Sequence, residues 1–195
     1  MIRRPPRSTL DRSSAASDVY KRQAIKYADG SSSADGRIIQ IANGQIAGNN
    51  IRTQTNAPNA WKKVVSNTDE ICQISFTPKS ATSKLLIVAT GMWHGVTGYK
   101  GHGMEAKVRL YDNTSGNAVG PEVIDTGSSY TGGTSYGDYW GAAEWTVTAF
   151  VEADHNSNGT NTRVYWPELW FDGNQTFYYG YAGDRITVTE ISASS

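Results

Sequence analysis

Gly133-Thr134-Ser135-Tyr136-Gly137 has the spacing G-x-S-x-G, the arrangement that holds a nucleophilic serine on a strained turn between a strand and a helix. Here the pentad lies inside 127–141, a run rich in Gly, Ser, Thr and Tyr that leads into strand-like sequence. The helix required by that chemistry is missing, and Ser135 reads as a loop residue. His94, His102 and His155 fit no zinc spacing, and Cys72 is the only cysteine available to assist them. Asp154, Asn156, Asn158 and Gly159 resemble the opening of a calcium loop, but the twelfth position from Asp154 is Tyr165, where the pattern needs a bidentate Glu. Glu144, Glu152, Glu168 and Asp172 are the carboxylates open to a glycosidase, whose pair must stand about 5 to 9.5 Å apart across a cleft. Glu144 and Glu152 fall on the polar parity of their strand and read as solvated surface. No catalytic residue, metal site or cofactor is expected, and the chain reads as a non-enzyme.

The other residues able to recognise something are aromatic. Trp93, Tyr99, Tyr130, Tyr136, Tyr139 and Trp140 lie among glycines in two segments, 93–103 and 127–141. Exposed rings stack on sugar faces or fill a partner's pockets, and Tyr, Ser and Gly together give adaptable hydrogen bonding. These six form the expected ligand-contacting set, the competing reading being that they pack within an assembly or beneath the loops. Tyr178, Tyr179 and Tyr181 read as core or intersubunit contacts.

The elements that must carry these loops follow a period of two. Cys72, Ile74 and Phe76 share one face and Gln73 and Ser75 the other; Met104, Ala106, Val108 and Leu110 oppose Glu105, Lys107 and Arg109; Trp145, Val147, Ala149 and Val151 oppose Thr146, Thr148 and Glu152; Ile186 and Val188 oppose Arg185, Thr187 and Thr189. Cys72 therefore reads as a small buried apolar residue, and as a lone cysteine it can form no intrachain disulfide. Two segments, 84–89 and 164–171, are apolar on both faces and need cover on both. Pro167 cannot donate to a sheet ladder, which places the second of them at an edge or bulge, where an assembly would have to hide it. About eight such strands without a helical stripe predict an all-β antiparallel sandwich of jelly-roll type.

Composition excludes several partners. The net charge of zero divides into six bases against two acids in residues 1–23 and twelve against sixteen in the rest. So mildly acidic a body offers no basic stripe for nucleic acid or for an anionic membrane. The longest apolar run, 85–90, is far short of the roughly 20 residues that cross a bilayer as a helix, so no membrane insertion is expected. The basic start lacks the apolar stretch of a secretory signal. Residues 1–23 instead resemble translated sequencing-adapter read-through, as met in metagenomic assemblies, and are set aside as artefact or disorder. Residues 24–60 read as a linker holding one short strand, 37–42, and 61–195 as the sandwich.

GRIIQIANGQ, WKKVVSN, ICQISFTPKSATSKLLIVATG and the closing GDRITVTEIS resemble the C-terminal domains of phage tail-fibre and virion structural proteins. The matching pieces are the T-P-x-S-x-x-S-K turn, from Thr77 to Lys84, and the I-T-x-x-E-I strand, from Ile186 to Ile191. The likeness spans about 36–195 and is weak between 92 and 182. It implies a jelly roll akin to tumour-necrosis-factor or complement globular heads, usually a homotrimer. It also implies a place on the virion after assembly in the host cytoplasm, and attachment to a bacterial surface glycan or protein.

Overall fold

The computed structural model describes residues 36–47, 52–55, 60–97, 106–125, 139–157, 159–171 and 176–193. Among these, eleven strands form two antiparallel sheets, and the only helical piece is one 3₁₀ turn, His155–Ser157. The strands are β1 (Ile38–Gln45), β2 (Arg52–Thr55), β3 (Lys62–Lys63), β4 (Ile74–Phe76), β5 (Lys84–Thr97), β6 (Ala106–Asp112), β7 (Asn117–Asp125), β8 (Tyr139–Glu152), β9 (Arg163–Phe171), β10 (Thr176–Tyr179) and β11 (Arg185–Ile191).

Four pairings define the topology: β1 with β11, β4 with β9, β5 with β8, and β6 with β7. They describe a single antiparallel ribbon folded back at the β6–β7 turn. The ribbon then wraps so that β11 joins β5 and β9 joins β6. One sheet thereby reads β1-β11-β5-β8 and the other β3/β4-β9-β6-β7, which is the jelly-roll order. β2 and β10 extend the first sheet alongside the later half of β5. The sandwich therefore begins at β1. The short strand expected within a linker over 24–60 is the core of β1, and β1 pairs along almost its whole length with the C-terminal strand.

Alternation carries the core as expected. Leu85, Ile87 and Ala89 of β5, Val108 and Leu110 of β6, Trp145, Val147 and Ala149 of β8, and Ile186 and Val188 of β11 meet between the sheets, with Cys72, Ile74 and Phe76 beside them. The β6–β7 hairpin turns at 113–116, where Asp112 Oδ1 accepts the amides of Thr114 and Ser115 and Gly116 takes a φ of 73°. A bulge at Gly120-Pro121 lets the outermost strand β7 lean on β8, close enough that a side chain at Gly120 would strike Ala149.

The placement of 164–171 differs from expectation. β9 is central, with β6 along one edge and β3 and β4 along the other. Pro167 is tolerated because its carbonyl, and hence its missing N–H, faces the gap between β3 and β4, where it accepts the Val64 amide at 3.1 Å. Nor does this strand's outward face need a neighbouring subunit. Register sets Lys107, Arg109 and Tyr111 opposite Trp170, Glu168 and Trp166. Lys63 Nζ sits 3.7 Å from the Trp166 ring centre, Lys107 Nζ 5.0 Å from that of Trp170, and the Arg109 guanidinium 4.2 Å from that of Trp61. Glu168 ties the layer together by accepting Arg109 Nη2 at 2.7 Å and Trp166 Nε1 at 3.1 Å.

The other doubly apolar segment, 84–89, is covered on its inner face only. Leu86 and Val88 look outward from the centre of their sheet and stay only partly exposed.

One carboxylate joins the ends of the ribbon. Glu190 in β11 is fully buried and accepts the amides of Lys79 (2.9 Å) and Ser80 (3.1 Å), Ser83 Oγ (2.5 Å) and Gln40 Nε2 (2.6 Å). Burial alone would push this carboxyl up, but the donors outweigh it and hold the group below the usual Glu range. Glu190→Gln keeps the shape yet turns an NH₂ toward converging donors. It should cost about 2–4 kcal/mol in urea unfolding at pH 7, whereas Thr189→Val on the outward face of the same strand should cost under about 1 kcal/mol.

Candidate functional site at the loop end of the sandwich

The strand ends decide which loops lie together. β5 stops at Thr97 opposite Tyr139, where β8 starts, while β6 starts at Ala106 opposite both Asp125 of β7 and Phe171 of β9. Thr176, the first residue of β10, pairs with Val96 and Thr55. Thr55, Thr97, Ala106, Asp125, Tyr139, Phe171 and Thr176 therefore all stand at one end of the sandwich.

Beneath that end lies an aromatic floor. Phe171 and Phe177 stack at 4.3 Å between ring centres, and Trp93 meets them edge-on at 6.1 and 5.7 Å. Tyr179 closes the group at 5.6 Å from Phe171. Trp93, expected to be a ligand-contacting loop residue, is thus a fully buried core residue of β5. The long strand runs past the point where glycines suggested it would end, and its parity, continuing from Leu85, Ile87 and Ala89, turns the indole inward. Tyr139 and Trp140 open β8 against Thr97 and Val96, with their side chains outside the described part. Tyr99, Tyr130, Tyr136, the Gly133–Gly137 pentad, His102 and Asp172 lie outside the described residues. On the outward side of the same end, Tyr178 stacks on His94 at 4.4 Å and Tyr181 hydrogen-bonds its Nδ1; burial lowers the His94 pKa.

Among the described residues, Glu144, Glu152 and Glu168 do not come together as a hydrolytic pair. Glu144 and Glu152 face outward from the same strand eight positions apart, which is about 26 Å of extended chain. Glu168 faces outward from the opposite sheet and is engaged by Arg109.

At the far end of the sandwich, a polar cluster was not foreseen from the sequence. Asp112 and Arg163 are fully buried, and His155 lies between them, with Nε2 3.6 Å from Asp112 Oδ2 and Nδ1 2.6 Å from Arg163 Nη1. Burial first, then the Arg163 charge, press the His155 pKa down to about 4, so the imidazole is neutral at pH 7 and a weak base. The Tyr165 hydroxyl, 3.4 Å from Nε2, is itself pushed up to about 12, chiefly by burial. With no activated nucleophile at hand, this cluster pins the 153–162 loop to the β6–β7 turn, helped by the bond from Asn156 Nδ2 to Ser115 Oγ at 3.1 Å.

A second unforeseen carboxylate bridges a break in the first sheet. On the side away from β8, β5 has no strand partner between Trp93, paired with Tyr179 of β10, and Thr90, paired with Arg185 of β11. Asp184 fills the gap by accepting the Met92 amide at 3.2 Å and the Tyr181 amide at 3.0 Å. Gly91 makes the room, since a Cβ there would lie 2.6 Å from Asp184 Oδ1 and 2.3 Å from the Trp145 ring.

No family model matches this chain, and no curated protein matches it. Among solved structures, the VP2 subviral particle of infectious bursal disease virus aligns at a TM-score of 0.31 and 11% identity, over 83% of this chain and 38% of that one. The T13 viral particle of the same virus aligns at 0.34 and 12%, over 83% and 36%. The chain thus spans little more than a third of those chains' lengths. Likeness this slight carries no argument, and the jelly-roll assignment stands on the strand pairings alone.

Burial pushes Asp184 up to about 7 against the pull of its two amide bonds. Because its folded pKa lies above its unfolded one, its contribution to stability is full below about pH 4 and is lost as pH rises toward 7. Unfolding free energies of the native chain and Asp184→Asn, measured in urea at pH 4.5 and 7.5, should differ in pH dependence by on the order of 2–4 kcal/mol, with the native chain losing more on going up in pH.

Proposed function

We propose that this chain is a non-enzymatic virion module, the distal domain of a phage tail fibre or related surface protein, which contacts a bacterial surface glycan or protein through its loop end. One observation carries the reading. The two motifs by which the sequence resembles that family, 77–84 and 186–191, are parts of one hydrogen-bonded unit, because Glu190 of the second organises the turn of the first. Sequence shared for a physical reason is stronger support than two short likenesses far apart in the chain.

The loop end suits attachment. Trp93, Phe171 and Phe177 pack beneath the end where Thr97 and Tyr139 stand, and the Tyr, Trp, Gly and Ser content of the sequence over 98–103 and 127–141 suits flat contacts and adaptable hydrogen bonds. In an oligomer such ends act together, so weak single-site contacts add up to firm attachment.

A second reading is a purely structural assembly cap or decoration domain with no ligand of its own. The inward turn of Trp93 favours it, since that ring serves packing. Glycan hydrolysis or ester cleavage ranks third, because the carboxylates of the described strands are too far apart or already engaged.

The experiment immobilises lipopolysaccharide, capsular polysaccharide, teichoic acid and outer-membrane-protein vesicles and measures capture of the native chain. Binding to at least one surface is expected, with at least about a tenfold loss in Tyr139→Ala/Trp140→Ala at unchanged melting temperature. Absence of capture throughout, or capture indifferent to both substitutions and to deletion of 127–138, contradicts attachment through this end and favours the structural cap.

A further inference from the structure

Ile38, Ile39, Ile41, Met92 and Phe150 are the large apolar side chains that stand exposed among the described residues, and all five belong to the β1-β11-β5-β8 sheet. Phe150 is 60% exposed and Ile41 54%. Register arranges the outward face in rows. One row runs Ile41, Thr189, Leu86, Phe150, and the next Asn43, Thr187, Val88, Thr148. Neither row contains a charge. The charges stand at the rim: the ion-paired Lys84 and Glu152 at one end of the face, and Arg185 and Glu144 at the other. An uncharged centre, in which Ile41, Leu86, Val88 and Phe150 alternate with threonines and Asn43, within a charged border is a composition that suits a protein interface.

We propose that this face docks against the same face of a second copy, about a two-fold axis parallel to the strands. Such a rotation keeps each row at its own height and reverses its lateral order. Phe150, at the β8 end of its row, then meets the partner's Ile41 at the β1 end, and Leu86 meets the partner's Thr189. The most exposed ring and one of the most exposed aliphatic chains therefore cover each other twice. At the rim, Arg185 comes within side-chain reach of the partner's Glu144, one row further along, so the border charges are complementary as well. A two-fold running across the strands between the two rows would instead set Phe150 against the partner's Thr148 and Ile41 against the partner's Asn43.

Area is adequate for a reversible pair. Four strands about 4.8 Å apart and seven residues long present a flat footprint of roughly 450 Å² per copy, before side-chain relief adds to it. That falls near the small end of specific interfaces and implies concentration-dependent dimers. The docking does not depend on the virion reading, and its two-fold pair departs from the homotrimer that the tail-fibre resemblance implies. An axis parallel to the strands points both loop ends the same way, so the dimer presents two attachment ends to one surface.

Sedimentation equilibrium of the full chain between 1 and 200 µM (about the range such interfaces need) tests the proposal. A monomer–dimer equilibrium is expected. In Phe150→Glu, which keeps an exposed position exposed, the dissociation constant should rise at least about thirtyfold. Lys63→Glu, on the opposite sheet's outer face, should leave it within about threefold. The Ile41→Cys/Phe150→Cys variant should give a disulfide-linked dimer on mild oxidation, without involving Cys72, which is buried and whose thiol burial pushes up. A monomer throughout, a trimer, a dimer indifferent to Phe150→Glu, or failure of the paired cysteines to cross-link would each overturn the proposal. Loss of surface capture with the dimer intact would bear on the loop end alone.

Discussion

Glu190 is a buried anion at the point where the C-terminal strand, the edge strand β1 and the 77–83 turn converge, and the fold depends on its being fully satisfied there. An ionised carboxylate in such a place costs several kcal/mol unless donors surround it. Two backbone amides, a hydroxyl and a side-chain amide do so. Because those donors come from positions 40, 79, 80 and 83, one group registers β1 against β11 and aims β5 as it leaves the turn. β5 is in turn the strand on which β8, β10 and β11 all assemble, so an error at the turn would propagate through the first sheet.

The two outer faces resolve the same problem differently. Each sheet has a central strand that is apolar on both sides. Around β9 the chain supplies its own cover, with Lys and Arg side chains laid across indole rings so that the methylene stems bury aromatic surface and the cations meet the ring faces. Around β5 no such cover exists among the described residues, and Leu86, Val88 and Phe150 face outward between threonines. The contrast separates a finished surface from one whose composition suits contact, and it locates on a single face the surplus apolar area that the sequence suggested for two.

Much of this was legible in the sequence, for a definite reason. Period-two alternation fixed the inward sets of β4, β6, β8 and β11, and with them the all-β sandwich. It failed where local rules met tertiary cover. Pro167 signalled an edge, yet it sits in a central strand because the missing donor faces a gap between two short strands. Trp93 lay among glycines in a segment that read as a loop, yet β5 continues through it, with Gly91 leaving the space into which Asp184 and Trp145 fit. The buried polar residues carried a signal that alternation alone could have given. Ser83, Asp112, Arg163, Asp184 and Glu190 each occupy the inward parity at the end of a strand, next in line to Leu85, Leu110, Tyr165, Ile186 and Val188. A charged or hydroxylated residue at the last dry position of a strand marks where the sandwich is closed by hydrogen bonds. Which partners it takes depends on residues distant in the chain, and no local pattern contains that.

Amide hydrogen exchange at Lys79 and Ser80 tests the central role of the buried carboxylate most directly. Both amides belong to a short turn outside any strand and would exchange quickly if they met only water. Donation to Glu190 within a closed ribbon predicts that they open only with global unfolding, with the same free energy as the amides of Ile87 and Val188. Exchange within about tenfold of an unstructured peptide would show that the turn is not held by Glu190, and would contradict the account of how the two motifs form one unit.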